Sequence, residues 1–164
     1  LNDYLKMIEL KTSVSLAASL KIGAILGGAG ERNQNLLYEF GRKLGISFQV
    51  QDDYLDAFGD PEKFGKQVGG DILSNKKTFL LIHALEVAPV SSIKELKKIM
   101  SENPPDKVGK VIQIFHDCKV DEWALQLKNK FVDEAFAHLE DIAVLSKRKL
   151  PLQELALFLV KRDH

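Results

Sequence analysis

Asp52, Asp53 and Asp56 lie in the run Phe48-Gln49-Val50-Gln51-Asp52-Asp53-Tyr54-Leu55-Asp56. The apolar residues around them recur with helical spacing, so the run reads as helix. On a helix Asp52 and Asp56 share a face, and Asp53 lies beside them, about a hundred degrees round the axis. Three carboxylates so close together repel one another and need a counter-charge. Their oxygen-only donor set suits Mg2+, which is commonly held by one or two carboxylates plus the phosphates of a substrate. An acidic helix face paired with surface lysines has the same spacing, so the run gains meaning only from what accompanies it.

Two further polar clusters interrupt apolar surroundings. Lys11-Thr12 sits between Met7, Ile8 and Leu10 on one side and Val14 and Leu16 on the other. By itself a lysine in such a stretch only snorkels. Gly65-Lys66, then Asp71, then Asn75-Lys76-Lys77-Thr78 form the second cluster, in and after a segment with four glycines and a proline. Glycines that hold a lysine opposite acidic residues suggest a lid over an anion. Carboxylates, lysines and such a loop together point to a phosphorylated substrate bridged through Mg2+. Spacing alone leaves the substrate open.

The elements that must position these groups read as helices throughout. The first runs from about Tyr4 to Leu26, with Asp3 as N-cap, and stops at Gly27-Gly28-Ala29-Gly30. The second covers about Asn35 to Ala57 and carries the aspartates. Gly41 and Gly45 within it mark close helix–helix contact. A loop follows over 58–71, then helices from about Lys77 to Val87, from a Ser92-to-Glu95 capping box, and from Asp106 to Cys118. In the next helix, Asp121 to Leu145, the residues Val120, Ala124, Leu127, Phe131, Ala135, Leu139 and Ile142 make an apolar stripe. Pro151 opens a last helix ending near Arg162. No alternating strand pattern appears, so the expected class is all-α, in a single helical domain over 1–164.

Composition narrows the function classes. Lys plus Arg and Asp plus Glu number 23 each, which gives no footprint for nucleic acid. Leu16 to Gly30 is the most apolar stretch. Lys21 and the glycines interrupt it, so no membrane-spanning segment is expected. The single cysteine, Cys118, excludes an intrachain disulfide framework and suits a cytoplasmic protein. His83, His116, His138 and His164 are scattered without zinc spacing, and Trp123, the phenylalanines and Cys118 read as core. Lys147-Arg148-Lys149 and Lys94-Glu95-Leu96-Lys97-Lys98 read as solvated faces.

Phe48-Gln49-x-x-Asp52-Asp53-x-x-Asp56, followed by Gly59-Asp60, Gly65-Lys66, Gly70-Asp71 and Lys76, closely resembles the second aspartate-rich region of trans-polyprenyl diphosphate synthases. This is the farnesyl and geranylgeranyl diphosphate synthase family. Lys11-Thr12 resembles that family's upstream Lys-Thr pair, and Arg162 more weakly its basic tail. The resemblance implies an antiparallel helical bundle of the isoprenoid synthase type with a deep central cavity. It implies a Mg2+-dependent prenyltransferase that joins an allylic diphosphate to isopentenyl diphosphate. The allylic C–O bond ionises, the carbocation attacks the isopentenyl double bond, and the released diphosphate takes the proton. Asp52 would be the most direct Mg2+ ligand, with Asp53 and Asp56 acting through water. Lys11, Lys66 and Lys76 would bind the allylic diphosphate. Thr12 and Gln49 would point dipoles at the cationic carbon. A homodimeric parent enzyme is implied as well.

The family has a facing aspartate-rich motif that this chain lacks; Asp121-Glu122, Asp133-Glu134 and Glu140-Asp141 have the wrong spacing. The chain therefore reads as roughly the C-terminal half of a synthase, inactive alone. Apolar faces left open in such a half are expected to drive self-association. Alternatives are a non-catalytic regulatory subunit of a heteromeric synthase and, more distantly, a terpene cyclase.

Overall fold

The computed structural model describes residues 1–60, 62 and 68–161. Among these every regular element is helical. They are α1 (Asn2–Ile8), a π turn (Glu9–Ser13), α2 (Val14–Leu26), α3 (Glu31–Phe58), α4 (Gly70–Leu73), α5 (Phe79–Val87), α6 (Val90–Glu102), α7 (Lys107–Asp117), α8 (Val120–Glu140) and α9 (Ser146–Val160). No helix of the described residues is long and apolar enough to cross a membrane. The described residues divide into two compact units, one formed by Val50–Gln126 with Leu1, the other by Asn2–Gln49 with residues 127–161.

In the second of these units Phe40, Leu44, Ala135, Leu139, Ile142, Ala156 and Val160 form the buried core. Leu16 and Leu20 of α2, Val132 and Phe136 of α8 and Leu152 of α9 pack against it. The expected role of the paired glycines holds. A Cβ on Gly41 would stand 2.9 Å from Ala17 Cα, and one on Gly45 would stand 2.8 Å from Ser13 Cα. Only glycine lets α3 approach α2 and the π turn so closely. Arg42 braces the same region, bonding Glu39 at 2.6 Å and Glu9 at 3.2 Å.

In the other unit α5 buries Phe79, Leu80, Leu81 and Ala84, while Glu86 and Val87 at its end are exposed. Thr78 caps it, its side chain accepting from Leu81 N. Trp123 packs on Phe79 with ring centroids 5.7 Å apart, and Phe58 packs on Phe115 at 6.2 Å.

Several boundaries differ from the sequence reading. Asp3 lies inside the first turn rather than capping it, because the helix starts at Asn2. The long first helix is not uniform: the π turn interrupts it at Glu9–Ser13. Helix α6 begins at Val90, behind Pro89, and its first turn closes through Ile93 N to Pro89 O, so the Ser92–Glu95 pair lies inside the helix. Pro151 lies within α9 rather than opening it. The missing N–H costs one backbone bond, which the helix tolerates. Cys118 is only half-buried. Lys149 is buried rather than solvated and donates to the Glu140 carbonyl at 2.5 Å, at the end of α8.

Candidate functional site

The aspartates lie in the last two turns of α3. Asp53 is 5% exposed, while Asp52 and Asp56 are half-buried. Beyond α3 the chain returns through α4. There Gly69 N donates to Asp56 O at 2.5 Å, and Asp71 N donates to the Asp56 carboxylate at 2.9 Å. Gly69 takes φ +81°, and a Cβ there would press on Val108 at 2.5 Å, so glycine is needed for this return. Lys76 follows. Its ammonium donates to Asp53 Oδ1 at 3.1 Å and to Asp71 Oδ2 at 2.6 Å.

The electrostatics follow from this crowding. Burial pushes the Asp56 carboxyl above the ordinary carboxylate range; the Asp71 N–H pulls it back, the charges of Asp71 and Asp52 add to the rise, and Lys76 opposes it. Burial works against the Lys76 ammonium, yet its bonds to Asp71 and Asp53 outweigh that and raise its pKa. Lys76 is thus held against Asp53 and Asp71, with the Asp56 carboxylate tied to the same turn. Among the described residues no group of three or more His, Cys, Asp or Glu closes round a single ion position. The donor set fits a hard cation that shares its coordination between one or two carboxylates, water and a phosphate, rather than a closed protein cage.

The second cluster belongs to the other unit. The π turn carries Lys11 and Thr12. Such bulges recur at functional sites because they re-aim side chains within a helix. Thr12 Oγ1 donates to Gln49 Oε1 at 3.1 Å. With its proton committed to Gln49, the Thr12 oxygen keeps its lone pairs for another partner. Lys11 is exposed. Ser13, fully buried beside Gly45, has a hydroxyl with no hydrogen-bond partner among the described residues.

Of the sequence-predicted residues, Asp53 and Lys76 are thus brought into contact, Asp56 is tied to the same turn, and Thr12 meets Gln49. Lys66, Gly65 and Arg162 lie outside the described residues. Two features were missed. The π turn has no compositional mark. Lys107 reaches the turn before Lys76 from a distant helix.

Comparison with known proteins bears on this geometry. The family model described as polyprenyl synthetase matches residues 1–118. A short chain isoprenyl diphosphate synthase of Methanothermobacter thermautotrophicus is 35% identical over 162 residues, 99% of this chain and 50% of that protein. A crystal structure of geranylgeranyl pyrophosphate synthase superposes with a TM-score of 0.90 at 38% identity, covering 99% of this chain and 51% of that one. A polyprenyl synthase from Caulobacter crescentus, solved in complex with calcium and isoprenyl diphosphate, superposes with a TM-score of 0.86 at 28% identity, covering 98% and 49%. The chain spans about half the length of the curated relatives it matches. These neighbours assign it the all-α isoprenoid synthase fold.

Proposed function

The chain belongs to the polyprenyl synthetase family, and from that premise we propose that it supplies the second aspartate-rich, diphosphate-ionising half of a Mg2+-dependent prenyltransferase. The whole protein would join an allylic diphosphate to isopentenyl diphosphate. The observation that carries this reading is the clasp of Lys76 on Asp53 and Asp71 beside Asp56. Acceptors for a hard cation and a donor for phosphate stand within one hydrogen bond of each other. Asp52, Asp53 and Asp56 would hold Mg2+, directly or through water, and Lys76 would turn to the diphosphate oxygens, joined by Lys11 and Lys66. Bound Mg2+ would supply positive charge to the leaving diphosphate as the allylic C–O bond breaks. Thr12 and Gln49, fixed on each other at 3.1 Å, would offer oxygen lone pairs to the allylic cation. The calcium and isoprenyl diphosphate bound by the Caulobacter relative favour the same pairing of divalent cation and diphosphate.

The chain carries one aspartate-rich motif, so it is proposed to bind Mg2+–diphosphate weakly and to catalyse nothing alone. Pyrophosphate titrated into the purified chain with and without Mg2+ tests this. Binding should require Mg2+ and should vanish in Asp52→Asn/Asp53→Asn. Metal-independent binding, or prenyl transfer by the chain alone, would sink the proposal.

A further inference from the structure

Lys107 opens α7 and is 2% exposed. Its ammonium reaches three uncharged acceptors: Asn75 Oδ1 at 2.6 Å, Asn103 Oδ1 at 2.9 Å and the Leu73 carbonyl at 3.4 Å. A buried cation among neutral groups is expensive unless its donors are all engaged, and an apolar residue would fill the same space at lower cost. Burial pulls its pKa down accordingly. A cation at the first position of α7 is also at the wrong end of that helix for the dipole. Its bonds instead fall at the ends of α4 and α6, where helix carbonyls run out.

The two asparagines it holds share an unusual backbone. Asn75 has φ +57° and Asn103 φ +48°. Asn103 ends α6, while Asn75 immediately precedes Lys76. The turn around Asn75 is otherwise held by Asn75 N to Ile72 O at 3.2 Å and Lys76 N to Asp71 O at 2.9 Å. Where Lys76 points depends on the left-handed residue before it. We propose that Lys107 is a positioning residue for Lys76. Its bond to the Asn75 side chain fixes the turn from which Lys76 reaches Asp53 and Asp71. The inference rests on the diphosphate-binding reading above.

Asn75→Gly and Asn103→Gly form the deciding pair. Glycine accepts both backbones without strain, so each variant removes one acceptor of Lys107 at an entropic cost common to the pair. The probe is inorganic pyrophosphate with Mg2+, titrated calorimetrically into the chain, with urea unfolding as a control on the fold. Asn75→Gly should weaken binding about tenfold, the scale seen when an outer-shell support of a ligand site is lost. It should also move the 15N signal of the Lys76 ammonium. Asn103→Gly should leave both at wild type. Lys107→Met should match Asn75→Gly in affinity; if it does not fold, the asparagine pair decides alone. Wild-type affinity in Asn75→Gly, or equal weakening in both asparagine variants, would overturn the positioning role. Lys76→Ala separates the two claims. Unchanged affinity there refutes the diphosphate reading itself. Weakened affinity there, with Asn75→Gly unaffected, refutes only the role of Lys107.

Discussion

Lys76→Met should destabilise the unit that holds the aspartates, and Mg2+ should restore more of that loss than it adds to the wild type. Lys76 lies 3.1 Å from Asp53 and 2.6 Å from Asp71. The Asp53 side chain is 6% exposed and that of Lys76 44%. Removing one partner of a fully buried pair costs about 3–5 kcal/mol, whereas an exposed pair contributes roughly 0.2–1 kcal/mol. Lys76 is more than a third exposed, so the lower scale dominates, raised by the burial of Asp53. A loss of about 1–2 kcal/mol follows. With a urea slope of about 2 kcal/mol/M, in the middle of the usual range, the midpoint should fall by roughly 0.5–1 M. Trp123, the single tryptophan, belongs to the same unit and reports the transition by fluorescence. Mg2+ at ten times its dissociation constant stabilises a folded protein by about 1.4 kcal/mol. On the proposed reading the cation would share Asp53 with Lys76 in the wild type and not in the variant, so the gap between the two midpoints should narrow as Mg2+ rises. A variant as stable as wild type without metal, or a gap indifferent to Mg2+, would refute the view that Lys76 balances the charge of a cation site.

Three other substitutions test the packing and its pH dependence. Gly45→Ala places a methyl group 2.8 Å from Ser13 Cα, a backbone atom that cannot swing away, and should cost about 1–3 kcal/mol in urea unfolding. Gly23→Ala in α2 meets nothing within 4 Å and should instead gain about 0.5–1 kcal/mol; equal effects would contradict the close approach of α3. His83 stacks on Trp123 with centroids 3.5 Å apart, and burial, partly offset by Glu86, lowers its pKa from the usual 6.5. The unfolded chain then takes up the proton first, so this contribution is present above pH about 6.5 and fades as pH falls through the folded-state pKa. His83→Phe should flatten the acid side of the stability profile relative to wild type, and an identical slope in both proteins would rule the histidine out as its source.

The parts of this molecule that spacing encodes were legible, and those that depend on distant partners were not. Helix α3, its paired glycines and its aspartates could be read because period and small residues are local signals. The π turn at Glu9–Ser13 leaves no such mark: a five-residue hydrogen-bonded turn uses the same residue types as the α-helix on either side. Lys149 was misread for a related reason. A run of three basic residues looks solvated until the end of α8 presents the Glu140 carbonyl to one of them. The Ser92–Glu95 pattern has the spacing of a capping box, but Pro89 starts the helix earlier and leaves the box nothing to cap. The same division runs through the candidate site. Its negative charge comes from one helix and could be counted from the sequence. Its positive charge depends on Asn75 standing at φ +57° with Lys107 beneath it. An asparagine tolerates that backbone better than most residues but does not require it. The direction of Lys76 therefore becomes determinate only when α7 supplies the ammonium that holds Asn75 in place.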